Sequence, residues 1–171
     1  MLNERETYVS NARVTDIVGF TSSASSDSFR MDLTAPLQGT LSIGDLYQSD
    51  TANVTFTWAG FVDEHSGIGD YHYSLGTQPG SDDVIPRTPL GLNADFASLA
   101  ITISGLSLQV NQTYYGTVYA LDKVANETFA ISDGLTIDRD GPESGTIFDG
   151  IIADIDHSND TTSASASWGD F

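Results

Sequence analysis

Residues 113–121 read T-Y-Y-G-T-V-Y-A-L, and their alternation decides the fold. Tyr114, Gly116, Val118 and Ala120 fall on one face of an extended chain, and Tyr115, Thr117 and Tyr119 on the other, because successive strand side chains point to opposite sides. The same period of two runs through the surrounding stretches. Val54, Phe56 and Trp58 alternate with Thr55 and Thr57; Tyr71, Tyr73 and Leu75 with His72 and Ser74; Leu99, Ile101 and Ile103 with Ala100, Thr102 and Ser104. No stretch carries the helical period. Turn-rich clusters separate the runs: D-E-H-S-G, G-T-Q-P-G-S-D-D, V-N-Q-T and K-V-A-N-E. Short alternating strands between turn signals predict an all-β, antiparallel sandwich. Its expected core is Trp58, Tyr71, Ile101, Leu106 or Leu108, Tyr114 and Val118. Residues 77–97 are the least patterned and are expected to hold one short edge strand near 84–85.

An internal repeat organises the chain. Offset by 106 residues, Leu2 meets Leu108, Thr7 meets Thr113, Tyr8 meets Tyr114 and Asp16 meets Asp122; Ser26 and Asp27 meet Ser132 and Asp133, and Asp32 meets Asp138. Over 43 ungapped positions there are 13 identities, several-fold above what unrelated sequence gives. After a four-residue insertion, W-A-G-F at 58–61 matches W-G-D-F at 168–171. The expected organisation is the C-terminal part of one repeat at 1–30, a complete repeat at 31–136, and the N-terminal part of another at 137–171. A window cut from a longer tandem array follows as an expectation.

The full repeat resembles a fibronectin type III domain. The carriers are Trp58 on the second strand, I-G-D-Y at 68–71 opening the third, and Leu108 and Tyr114 at the spacing of the family's L-x-P-G-T-x-Y corner, here with V-N-Q in place of P-G-T. Tyr114, Val118 and Ala120 fit its Y-x-V-x-V-x-A strand. W-x-G-F-x-D-x-x-S-G-I, L-G-T-x-P-G and S-D-G-x-x-x-D are similar to tandem repeats of large secreted or cell-surface proteins. The resemblance implies a sandwich in which the tyrosine packs inward and its hydroxyl bonds the backbone at the corner.

Charge bounds the partners. The chain has 171 residues, 24 acidic and 6 basic, a formal charge of −18, and no cysteine. Phosphate backbones need a basic surface, so nucleic acid is not an expected partner. No apolar run is long enough for a membrane span. Without cysteine there is no disulfide, thiolate metal site or cysteine nucleophile.

Catalysis is not expected. His65, His72 and His157 lie outside any H-E-x-x-H pattern, and no G-x-S-x-G elbow occurs. His72 is expected in solvent on the outer side of a strand, His65 in a turn and His157 in an Asp-rich loop. G-I-G-D at 67–70 precedes a strand, unlike a dinucleotide fingerprint.

Calcium is a stronger question than catalysis. In the resembled fold, the loop after the second strand, the loop between the last two strands and the entering linker meet at one end. They carry Asp63 and Glu64, Asp122 and Asn126, and Asp32. Calcium takes six to eight hard oxygen ligands of this kind. The competing reading is that turn aspartates bond their own backbone and face water. Asp154, Asp156 and Ser158 mimic the start of an EF-hand loop, but Asn159 stands at the glycine position and Ser165 at the glutamate position, so an ordinary polar loop is expected. Asn53, Asn111, Asn126 and Asn159 open Asn-x-Ser/Thr sequons and are candidates for glycosylation. Tyr47, Tyr115 and Tyr119 are candidates for a face that takes proteins or glycans, against ordinary cross-strand packing.

The expected role is a structural and adhesive spacer module at an extracellular or cell-surface location, touching neighbouring repeats of its own chain, with calcium as a candidate stiffener and proteins or glycans as candidate partners. The alternative is an accessory, non-catalytic domain of a secreted carbohydrate-active enzyme. A third reading of the acidity is adaptation to salt.

Overall fold

The structure is a computed structural model describing residues 2–4, 6–91, 98–149, 157 and 160–170. Among the described residues there is no helix. The strands are β1 (Thr7–Tyr8), β2 (Asn11–Thr15), β3 (Thr21–Ser25), β4 (Phe29–Arg30), β5 (Thr40–Ser42), β6 (Tyr47–Gln48), β7 (Asn53–Ala59), β8 (Ile68–Gly76), β9 (Ile85–Pro89), β10 (Ser98–Ser104), β11 (Thr113–Asp122), β12 (Glu127–Ile131), β13 (Leu135–Ile137), β14 (Thr146–Asp149) and β15 (Ala166–Gly169). The chain divides into two units, Met1–Asp138 and Arg139–Phe171.

In the first unit a three-stranded sheet, β10-β7-β5, faces a larger one in the order β6-β13-β11-β8-β9, with β12 paired to β11. Pairing is antiparallel except between β13 and β6. The fold is therefore an all-β sandwich, and the expected edge strand near 84–85 is β9. The second unit contributes the antiparallel pair β14–β15.

The sheets close on an aromatic core. Phe56, Trp58, Tyr71, Leu75, Val118, Leu135 and Ile137 are buried. Trp58 packs 5.5 Å from Tyr71, and Phe61 meets the same ring edge-on at 5.8 Å. The expected core residues Trp58, Tyr71, Tyr114 and Val118 are buried, and of the two leucines Leu108 is buried while Leu106 is only partly so. Ile101, also expected in the core, is half-buried because β10 lies at the open edge of the smaller sheet. Gly116 is required where the sheets approach. A β-carbon there would lie 2.5 Å from the Ile43 side chain and 2.7 Å from the Phe56 ring, too close for any larger residue. The Tyr114 hydroxyl accepts the Gln109 N–H at 2.8 Å, closing the corner as the sequence led one to expect.

The offset of 106 residues recurs in the backbone. Residues 1–30, which the repeat leads one to expect to hold two strands, hold four: β1 and β2 match the two ends of an interrupted β11, β3 matches β12 and β4 matches β13. Their bounds fall 106 positions before matching stretches of β11, β12 and β13. The registers coincide as well: Asn11↔Ser25 and Thr15↔Thr21 match Thr117↔Ile131 and Leu121↔Glu127, and Thr7↔Arg30 and Tyr8↔Phe29 match Thr113↔Thr136 and Tyr114↔Leu135. The Asn3 N–H bonds the Tyr8 hydroxyl as Gln109 bonds Tyr114. At the other end, Ile147 faces Trp168 as Leu41 faces Trp58. Solvent exposure is what differs. Every residue of β2 and β3 is exposed, and Trp168 is 73 % exposed where Trp58 is 2 %.

Two outcomes follow from this distribution of burial. Trp58→Ala should cost about 3–5 kcal/mol, the range for truncating a large buried side chain, read as a lower urea midpoint at unchanged slope. Amide exchange across residues 7–30 should run faster than in β7, β8 and β11, because a two-stranded pair without a covered face is marginal. Hydrogen-exchange mass spectrometry at peptide resolution checks this, and equal protection would contradict it.

Candidate metal centre

Three segments converge at one end of the sandwich. Asp122 closes β11 at a bulge between Leu121 and Asp122. Its Oδ1 accepts the N–H groups of Val124 at 2.9 Å and Asn126 at 2.8 Å, a side-chain-capped turn that aspartate favours. Gly69 allows this approach, since a β-carbon there would sit 2.7 Å from the Asp122 carbonyl oxygen. Asp63 lies in the loop between β7 and β8, where its Oδ1 accepts N–H groups from Ser66 at 2.8 Å, Gly67 at 2.6 Å and His65 at 3.2 Å. Asp32 arrives on the segment leading to β5. Its Oδ1 accepts the Thr34 N–H at 3.1 Å and its Oδ2 the Ser66 N–H at 3.0 Å.

One carboxylate oxygen from each of Asp32, Asp63 and Asp122 lies within 4.8 Å of the other two. Asp122 is buried and the others are half-buried. Two carboxylates about 4 Å apart repel by roughly 1–4 kcal/mol at effective dielectrics of 80 to 20. Backbone N–H groups offset part of this, and a divalent cation would offset the rest. For Asp32, burial would raise the carboxyl pKa, but hydrogen bonds from the Ser66 side chain and from the Thr34 and Ser66 backbones, with the nearby His65, outweigh it and hold the group below the ordinary carboxylate value.

The remaining expected ligands fall differently. Asn126 touches the cluster through its amide nitrogen, which donates to Asp122 Oδ2 at 2.7 Å and to the Asp32 carbonyl at 3.3 Å. Its expected role as an oxygen ligand would need the amide turned over. Glu64 is exposed and lines the adjoining cavity of about 170 Å³ with Arg30, Met31, Asp32, His65, Ser66 and Val124, outside the group of three. Glu4 and His65 form a second group with Asp32, and Glu4 accepts the Thr34 hydroxyl. Sequence reading passed over both, Glu4 because it belongs to residues 1–30 and His65 because a turn histidine reads as solvated. The His65 ring is 22 % exposed and 4.0 Å from Asp32.

His72 also departs from expectation. Its Nδ1 accepts Arg87 Nε–H at 3.1 Å, and its Nε2 lies 3.4 Å from Asp70. Arg87 pairs with Glu127 and sits 4.0 Å from the Tyr119 ring centre. Tyr119 itself packs 6.0 Å from Phe129, and Thr117 between the two tyrosines is buried. This outer face is a packed network, with Tyr47 apart from it at 65 % exposure.

Of the sequons, Asn111 is exposed in the left-handed conformation at φ 62°. Asn53 is half-buried and donates to Asp50 Oδ2 at 2.8 Å, and Asn126 is held as described. Asn159 lies outside the described residues, as do Asp154, Asp156 and Ser158 of the loop that mimics an EF-hand.

Acid stability should carry the mark of these bonded carboxyls. Asp83, bonded by the Ser81 side chain and by the backbone and side chain of Thr77, is lowered from 3.8 to about 2. Carboxyls lowered in the folded chain take up protons more readily once it unfolds, so their stabilisation is full above the ordinary value and is lost as pH falls toward about 2. Urea midpoints should therefore fall across that window, and Asp83→Asn should flatten the lower part of the decline.

No protein-family model matches the chain, and no curated protein matches it.

Proposed function

We propose that the chain is a structural and adhesive spacer: one full fibronectin type III-like repeat with parts of two others, from an extracellular tandem array, stiffened by calcium at the junction between repeats. The observation that carries the reading is the recurrence, 106 residues apart, of strand bounds, registers and the tyrosine corner. Stacked copies of one sandwich make a rod whose length scales with copy number and whose bending is set at the joints.

Calcium would act at the joint. The Asp32 carboxylate belongs to the segment entering the full repeat, whereas Asp63 and Asp122 belong to its loops. A cation held by all three would tie that segment to the domain it enters, with waters and a turned Asn126 amide filling the shell. His72 is engaged at both ring nitrogens, by Arg87 and Asp70.

Thermal unfolding of the full chain tests the calcium part at fixed ionic strength with calcium, magnesium or chelator. A weak site of millimolar affinity adds about 1.4 kcal/mol at tenfold excess, or roughly 3–6 °C for a domain of this size. Calcium should raise the midpoint above magnesium, and changing Asp63 and Asp122 together to Asn should abolish the difference. Equal midpoints in the two ions would leave the three acids as turn residues only.

A further inference from the structure

We propose that Glu4, Asp32 and His65 form a second cation site, distinct from the group of three aspartates, which takes a transition-metal ion of zinc's chemistry and fastens the segment before β1 to the sandwich. The proposal rests neither on calcium nor on the repeat.

The geometry starts at the histidine. One oxygen of Glu4, one of Asp32 and one ring nitrogen of His65 lie within 4.8 Å of one another. His65 Nδ1 stands 4.0 Å from Asp32 Oδ1, too far for a hydrogen bond. Zinc takes an imidazole nitrogen at about 2.0–2.1 Å and a carboxylate oxygen at about 2.0–2.2 Å, so a tetrahedral ion between these two atoms needs them to close by only roughly half an ångström. Among the described residues neither ring nitrogen of His65 makes a hydrogen bond, although the side chain is only 22 % exposed and the Asp32 carboxylate beside it 5 %. A covered imidazole without a bond, aimed at a buried carboxylate, is a polar arrangement that an ion completes.

The two groups share Asp32 but divide its oxygens. Asp32 Oδ2 and Asp63 Oδ1 both accept the Ser66 N–H, at 3.0 and 2.8 Å, which sets Oδ2 on the side of the three aspartates. Oδ1 accepts the Thr34 N–H and faces His65. The carboxylate therefore serves either group without turning. The cavity of about 170 Å³ that Asp32 and His65 line opens beside them and admits the ion with its water. Arg30 lines the same cavity, but its Nε donates to the Thr7 hydroxyl at 3.2 Å, and among the described residues it pairs with none of the three ligands.

The donor set selects the ion. Calcium and magnesium are hard cations that take oxygen, whereas imidazole suits zinc and its neighbours among the divalent transition metals. Two carboxylates and one imidazole with water in the open position match a three-ligand zinc shell, and the charge of the two acids cancels that of the ion. The ligands come from three separate places: Glu4 before β1, Asp32 after β4 and His65 in the loop between β7 and β8. Glu4 already reaches this end of the sandwich through the Thr34 hydroxyl. An ion held by all three would lock that contact.

The test titrates the full chain with zinc by calorimetry and with cobalt by visible absorption, which reports nitrogen and oxygen donors directly. A single zinc should bind per chain, more tightly than calcium or magnesium. His65→Ala and Glu4→Gln, both surface changes, should each weaken it by roughly tenfold or more, since outer-shell partners alone are worth that much. His157→Ala should leave it unchanged. Asp122→Asn should also leave it unchanged, because that residue belongs only to the three-aspartate group. Zinc should slow amide exchange in the peptide that carries Glu4, and Glu4→Gln should remove the slowing. No zinc binding, binding indifferent to His65→Ala, or binding lost in Asp122→Asn overturns the proposal; the last would put zinc among the three aspartates. Binding indifferent to Glu4→Gln overturns the tie to the segment before β1. Calcium's effect on the unfolding midpoint is a separate readout, so either site fails without the other.

Discussion

The distance between the two sheets is set at Gly116, and much else in the sandwich follows from it. With no β-carbon on that residue, the Phe56 ring and the Ile43 side chain lie directly on the β11 backbone. Val118 and Ala120 continue the same face into the Trp58–Tyr71 pair. A side chain at 116 would separate the sheets at the centre of the core, where a poorly filled gap costs contacts on every wall. Gly116 also acts at a distance along its own strand. Asp122 ends β11 six residues on, so the depth at which β11 lies against the smaller sheet fixes where that carboxylate meets the loops carrying Asp63 and Asp32. Core packing and the candidate metal centre share one strand.

The N-terminal hairpin separates two roles of Asp122. Asp16, 106 positions earlier, makes the same turn: its Oδ1 accepts the N–H groups of Val18 at 3.0 Å and Phe20 at 2.8 Å. It does so while exposed, and among the described residues no two other carboxylates group with it. The turn therefore needs only its aspartate, and local hydrogen bonding accounts for that residue in both places. It does not account for the gathering of Asp32 and Asp63 around Asp122. That gathering brings like charges together, and it is the feature for which a cation gives a physical reason.

Much of this was legible because the informative residues act locally. Alternation set the strands, and turn aspartates and the spacing of Leu108 and Tyr114 set the corners, each within a few residues. The 106-residue offset was visible because its identities fall on turns and inward positions, where geometry restricts the choice. Convergence of Asp32, Asp63 and Asp122 could be expected once the loops were assigned to one end. Contacts between distant residues with no local signature were not legible. Arg87 reaches across β8 to His72 and Glu127, and Glu4 reaches Thr34; a charged side chain reads as solvated until its partner is placed. The direction of the Asn126 amide has no sequence signal either, because it is set by the Asp122 oxygen it faces.

The two copies of the turn also differ where the backbone is under most constraint. The left-handed position is Gly19 at φ 93° in the N-terminal hairpin and Ala125 at φ 69° in the full repeat. A β-branchless but not β-less residue in that region costs about 1 kcal/mol or more against glycine. The full repeat tolerates this because more bonds hold its turn. Asn126 is tied through its side chain to Asp122 and to the carbonyls of Asp32 and Thr34, whereas its counterpart Phe20 offers no such group. The Asn126 amide thus holds the segment entering the repeat against the strained turn that carries Asp122. Hydrogen bonds of the Asn126 amide to two carbonyls and one carboxylate hold the Asp32 segment to this turn, and a cation at the three carboxylates would reinforce that contact.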